Sequence, residues 1–102
     1  ISVMDRGSRR FIGAEEIIAI EADGAYSTIH TKRESFTISK NIAKLEQELE
    51  TYKSGFRSHK SWWVNLDYVI ELRNSSYQLV LQNDLLARIS RYRMSDLKAR
   101  FK

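Results

Sequence analysis

The 102 residues carry 17 Lys and Arg against 13 Asp and Glu, a formal charge of +4, and 42% of them are hydrophobic, enough for one small core and one domain. The absence of Cys excludes disulfide staples and thiolate metal sites and fits the cytosol. With no charged-then-apolar leader at Ile1 and no apolar run of membrane length, the chain is expected to be neither targeted nor membrane-spanning, and to be a piece of a longer protein.

The predicted elements run as one continuous domain. Ile17–Glu21 and Ala25–Thr31 read as strands around an Asp23-Gly24 turn, and residues 35–39 pair back after the polar tip Lys32-Arg33-Glu34. In the second strand Ala25, Ser27, Ile29 and Thr31 alternate with Tyr26, Thr28 and His30, so one face is wet. Ile42, Leu45 and Leu49 recur at helical spacing, which predicts an amphipathic helix over 42–53. Ser39 or Asn41 would cap its start, and Gly55 would lie just past its end. Residues 69–73, 77–82 and 85–90 predict three short strands, with Leu79 and Leu81 or Leu85, Ala87 and Ile89 inward and Arg88 and Ser90 outward. The tail from Arg91 forms a last helical segment through Met94, Leu97 and Phe101. The total is mainly β with two short helices. No second helix follows the first across a short turn, so a helix-turn-helix is absent and any nucleic-acid binding must use loops and strand ends.

Charge is uneven along this plan. Residues 1–56 hold 8 Lys/Arg against 9 Asp/Glu, whereas residues 57–102 hold 9 against 4, so the basic character belongs to the second half. There, Phe56-Arg57-Ser58-His59-Lys60-Ser61-Trp62-Trp63-Val64-Asn65-Leu66 and Ile89-Ser90-Arg91-Tyr92-Arg93 set basic and hydroxyl residues beside apolar ones that must be buried. That pattern fixes polar groups on a rigid edge and suits a polyanion.

The individual residues have two readings each. Arg91, clustered with Arg88 and Arg93, presents a fork that matches the O6 and N7 acceptors of guanine; otherwise it is a surface Arg at a helix start. Lys60 suits a guanine acceptor or a phosphate, and is otherwise a solvated lysine. Ser61 and Ser90 can bond phosphate oxygens or cap the turns they begin. His59 orients its loop by a hydrogen bond or donates to a phosphate, while His30 is structural; neither has neighbours suited to a metal or to catalysis. Trp62 and Trp63, being adjacent, point to opposite faces, one into the core and one toward a groove or partner, although the favoured reading is that both mostly pack. Asn65 caps the Leu66-Asp67-Tyr68 turn, and Glu46, Glu48 and Glu50 lie on the wet side of the first helix.

The chain resembles the LytTR-type DNA-binding domain of bacterial transcription regulators, over nearly its whole length, residues 1–102. The resemblance rests on Ile20-Glu21-Ala22-Asp23-Gly24-Ala25-Tyr26, the segment Ile38–Leu49, Phe56-Arg57-Ser58-His59-Lys60-Ser61, Val64-Asn65-Leu66 and Ile89-Ser90-Arg91. It implies an elongated, mainly β, sandwich-like domain at the C-terminus of response regulators. Such a domain inserts loops into successive major grooves of duplex DNA, bends it, and binds paired direct repeats. The three contact positions fall on Tyr26, Lys60 and Arg91, with Arg57, His59, Ser61 and Arg93 assisting; relatives carry a polar residue such as His where this chain has Tyr26. Arg88 and Ser90 complete the expected site. No cofactor or metal is expected, and the absence of a nucleophile–base pair argues against an enzyme. A basic β domain that binds protein or RNA is the alternative. With no heptad seam or spare apolar face, the domain is expected to be monomeric alone and paired only on DNA, downstream of a regulatory domain in a cytoplasmic protein.

Overall fold

The run Ile17-Ile18-Ala19-Ile20 is apolar without alternation, so both of its faces need cover. In the computed structural model, which describes residues 1–101, all four of these residues are buried in the middle strand of an antiparallel five-stranded sheet. The described strands are β1 (Ser2–Asp5), β2 (Ser8–Phe11), β3 (Ile17–Asp23), β4 (Tyr26–Thr31), β5 (Ser35–Ile38), β6 (Gly55–His59), β7 (Trp62–Asn65), β8 (Val69–Arg73), β9 (Gln78–Leu81) and β10 (Leu85–Arg88). Two helices, α1 (Ile42–Glu48) and α2 (Met94–Arg100), join them. The large sheet has the order β5-β4-β3-β7-β6, the small one β10-β9-β8, and β1 pairs with β2 as a separate hairpin. The molecule is elongated, 43 × 24 × 24 Å.

Each face of the large sheet has its own core. Trp63 joins Ile17, Ile20, Ile29, Leu45 and Leu49 beneath α1, and Trp62 joins Ile18, Val64, Leu79, Leu81 and Leu97 beneath the small sheet and α2. The adjacent tryptophans therefore do point to opposite faces, but both are buried, at 5% and 2% exposure, and neither is left for a groove or partner. A central sheet covered on both sides has no wet face at that position. Asn65 caps as expected, its Oδ1 accepting from Asp67 N at 3.0 Å, and its Nδ2 also donates to the Ile17 carbonyl at 3.0 Å.

Besides β6 and β7, which the sequence reading leaves unassigned as strands, the structure differs from the expectation in three places. The first helix ends at Glu48 rather than 53, although Asn41 does cap it, accepting from Lys44 N at 2.8 Å. The chain turns because Tyr52 packs on Trp63 and its hydroxyl accepts from Asn65 Nδ2 at 3.0 Å. Gly55 is consequently the first residue of β6 and not a helix cap. A Cβ there would lie 2.4 Å from Trp63 Cζ2, so Gly55→Ala is expected to cost about 1–3 kcal/mol through overpacking, read as a lower denaturant midpoint at unchanged slope. The β1–β2 hairpin escaped the sequence reading because its strands do not alternate apolar with polar residues. Its Arg6-Gly7 turn, with φ of 52° and 80°, is what closes it. Finally, β9 and β10 are shorter than expected at four residues each, since Tyr77 at φ 52° and the Ser90 cap end them.

Candidate nucleic-acid interface

Three turns meet at one end of the molecule. The Gly24-Ala25 turn has a positive φ of 63° only at the glycine, as a two-residue hairpin turn needs, and it joins β3 to β4, placing Tyr26 at 53% exposure beside it. The Lys60-Ser61 turn joins β6 to β7. It lies next to the first because β3 pairs with β7 at Glu21 and Trp62, and Ala22 N donates to the Ser61 carbonyl at 2.8 Å. The third follows β10: Ser90 caps a single 3₁₀ turn over Arg91–Arg93 with its hydroxyl, which accepts from Tyr92 N at 3.3 Å.

A β-bulge stitches the third turn to the second. Between Phe56 and His59 the β6–β7 register slips, so Arg57 and Ser58 have no register partner on β7 and their carbonyls are open to other donors. They are taken up by the last segment of the chain. Ser90 N donates to the Ser58 carbonyl at 2.7 Å, Ser58 Oγ donates to the Arg88 carbonyl at 2.8 Å, and Arg93 Nε donates to the Arg57 carbonyl at 3.0 Å. Arg93 also covers the Phe56 ring at 4.5 Å and pairs with Asp96 at 2.8 Å. Ser58 is fully buried, and the sequence reading missed its role. Ser58 is two residues from Phe56 and shares its buried face, so its alternation with Arg57 and His59 is the available signal; its partner, the Arg88 carbonyl, is not legible locally.

Within the second turn His59 acts as an acceptor. Its Nδ1 takes the Ser61 N–H at 3.0 Å, so the ring proton of the neutral imidazole lies on Nε2. Burial, then the charges of Arg88, Lys60 and Arg57, push its pKa below the usual imidazole value of 6.5. Because the folded ring binds a proton less readily than the unfolded one, this stability is complete above pH 6.5 and is lost as pH falls through the lower folded value. The unfolding free energy should therefore drop on acidification, and His59→Gln should flatten that drop in denaturation curves taken between pH 7 and 5.

The remaining side chains divide cleanly. Lys60, Arg88 and Arg91 are exposed, Ser61 and Ser90 are half-buried, and Arg57 and Arg93 turn their guanidinium groups back onto the protein. Two shallow open grooves of about 550 and 380 Å³ run over this end and share His59, Ser90 and Tyr92. The first continues to Arg88 and Arg91, the second to Lys60, Arg57 and Arg93, and Tyr26 lines neither. Glu46 is the one carboxylate lining them, and it is ion-paired with Arg57 at 2.7 Å. Tyr92, at 87% exposure between two arginines, is a second residue the sequence reading passed over. Nothing in its neighbours distinguishes it; the 3₁₀ turn throws it outward. His30 is structural as expected, its Nδ1 bonded to Ser35 Oγ at 3.0 Å and its ring stacked on Trp62.

Open, basic and hydroxyl-lined, with no enclosed cavity between its turns, this end defines a surface binder of extended polyanions. The family model for the LytTr DNA-binding domain matches residues 7–102, and the chain belongs to that family of DNA-binding domains, the one its sequence motifs resemble. It is 28% identical over 90 residues to the sensory transduction protein LytR of Staphylococcus saprophyticus, covering 85% of this chain and 35% of that protein. To the heme-containing CO-sensing transcriptional regulator RcoM 2 of Paraburkholderia xenovorans it is 33% identical over 91 residues, covering 85% and 34%. The chain thus spans about a third of the length of these relatives. Its mainly β fold with two helices is that of the LytTr DNA-binding domain of a methyl-accepting/DNA response regulator from Bacillus cereus, with a TM-score of 0.80, 16% identity, and coverage of 97% and 93%. The family is a binding domain and not an enzyme. No helix of the described residues is long and apolar enough to cross a membrane.

Proposed function

We propose that this domain reads the sequence of duplex DNA by laying its three turns into successive major grooves of paired direct-repeat sites, as the output module of a bacterial transcription regulator. The observation that carries the reading is the hydrogen-bonded stitching of the Lys60-Ser61 turn to the Ser90–Arg93 segment. It gives exposed Lys60, Arg88 and Arg91 a fixed spacing, which a reader of base edges needs and a merely basic surface does not. Arg91 takes guanine O6 and N7, and Lys60 takes a base acceptor or a neighbouring phosphate. Tyr26 contacts the flanking groove. Arg88, Ser61 and Ser90 bond phosphates, and His59, Arg57 and Arg93 hold the turns. The domain is monomeric alone and pairs on bent DNA, without a cofactor, in a cytoplasmic regulator whose input domain precedes it.

Selection of bound duplexes from a random pool by this chain tests the reading. Recovery of a guanine-containing motif repeated in direct orientation at a fixed spacing is the expected result. An unenriched pool, or better competition by single-stranded RNA than by duplex, contradicts it and favours a basic domain for RNA or protein.

A further inference from the structure

Arg57 lies beside the Lys60-Ser61 turn with every nitrogen of its guanidinium occupied. Its Nε donates to the His59 carbonyl at 3.0 Å, Nη2 to the Lys60 carbonyl at 2.6 Å, and Nη1 to Glu46 Oε1 of α1 at 2.7 Å. The guanidinium is planar and its donors are fixed relative to one another, so one rigid group ties the two turn carbonyls to the helix carboxylate. His59 Nδ1 holds the same turn from its other side through Ser61 N. The Arg57 side chain is 22% exposed, and three of its five N–H groups are spent on these partners, which turn the guanidinium toward the protein. Glu46 is informative in its own right. A carboxylate in a groove that receives phosphates is repulsive, and its place there is explained if it anchors Arg57.

We infer that Arg57 is a positioning residue for base readout: with Glu46 as its anchor, it sets the direction of Lys60 and so acts on DNA sequence through that side chain and not by a contact of its own. The inference rests on the proposal that Lys60 touches DNA. A lysine in place of Arg57 keeps the charge and can still pair with Glu46, but one ammonium has no rigid fork to span both carbonyls. Charge and positioning are thereby separable.

The test compares Arg57→Lys, Arg57→Ala, Glu46→Gln and Lys60→Ala in the same chain, on a selected duplex and a scrambled one across a salt series. For Arg57→Lys the specific-to-scrambled affinity ratio is expected to fall roughly tenfold, with the lost preference confined to the base positions that Lys60→Ala relaxes. The salt slope should stay that of the parent, because no phosphate contact is lost. Without DNA, the Ser61 amide should exchange faster with solvent in Arg57→Lys. Glu46→Gln leaves Arg57 in place and removes only its charged anchor, so it carries the test should Arg57→Lys fail to fold; it should lower the ratio while strengthening scrambled binding. The inference is overturned if Arg57→Lys retains full preference while Lys60→Ala loses it, or if Arg57→Ala lowers the slope by about one and weakens both duplexes alike, as a direct phosphate contact would. If Lys60→Ala itself changes neither preference nor slope, the DNA-docking proposal falls with it.

Discussion

Replacing Trp63 with Ala is expected to cost roughly 3–5 kcal/mol of folding stability, a large part of the total for a domain of this size. The indole is 2% exposed, carries Gly55 directly against its ring and Tyr52 at 6.4 Å, and shares one core layer with Ile17, Ile29 and Leu45. Truncation would open a void that none of these neighbours can fill. Gly55 has no side chain, and Tyr52 is tied through its hydroxyl to Asn65. Leu45→Ala, in the same layer with 0% exposure, should cost about 2–5 kcal/mol for the same reason. Chemical denaturation reads both. DNA binding should fail only in proportion to the unfolded fraction, since neither side chain reaches the surface. A loss below about 1 kcal/mol for Trp63→Ala would mean that this layer is not packed as described.

Arg91→Ala is expected to do the opposite: to leave folding nearly intact and remove roughly 1–3 kcal/mol of discrimination at one base position. Arg91 is exposed on the 3₁₀ turn and its side chain makes no hydrogen bond or ion pair among the described residues, whereas Arg93, two positions on, covers Phe56 and bonds Arg57 and Asp96. The contrast is testable within one segment. Arg93→Ala should lower the melting temperature and disturb the whole face, because it releases α2 from β6. Arg91→Ala should shift the melting temperature only slightly. If Arg91→Ala instead melts several degrees lower with binding unchanged, the residue is structural.

Much of this molecule is legible in its sequence because its hydrophobic pattern is strong where the fold is made. Strands β3 to β5 and the three late strands follow from period-two runs and turn residues, Asn41 is one of two cap candidates, and the exposed Arg88 and Arg91 follow from where the last of those runs stops. What escaped depends on contacts distant in sequence. The end of α1 is set by Tyr52 meeting Asn65 and Trp63, and the role of Ser58 by the Arg88 carbonyl thirty residues away. That both tryptophans pack is the favoured reading of the adjacent pair, and the reason is that two separate layers close over the two faces of one sheet. The guanidinium of Arg57 reads as a free positive charge until its acceptors on three neighbouring segments are seen.

If this end of the sheet reads bases and does not merely attract phosphate, sequence preference and salt dependence are separable. The salt dependence of affinity for the parent chain, Lys60→Ala and Arg91→Ala, on selected and scrambled duplexes, tests it most directly. A phosphate contact contributes about −0.9 to the slope of log K against log salt and is indifferent to sequence, whereas a base contact leaves the slope alone and sets preference. Arg91→Ala is expected to keep the parent slope and lose preference, and Lys60→Ala to lose preference with part of a unit of slope. Should both variants lower the slope by about one while selected and scrambled duplexes weaken equally, the turns serve only as an electrostatic platform, and readout by Lys60 and Arg91 is contradicted.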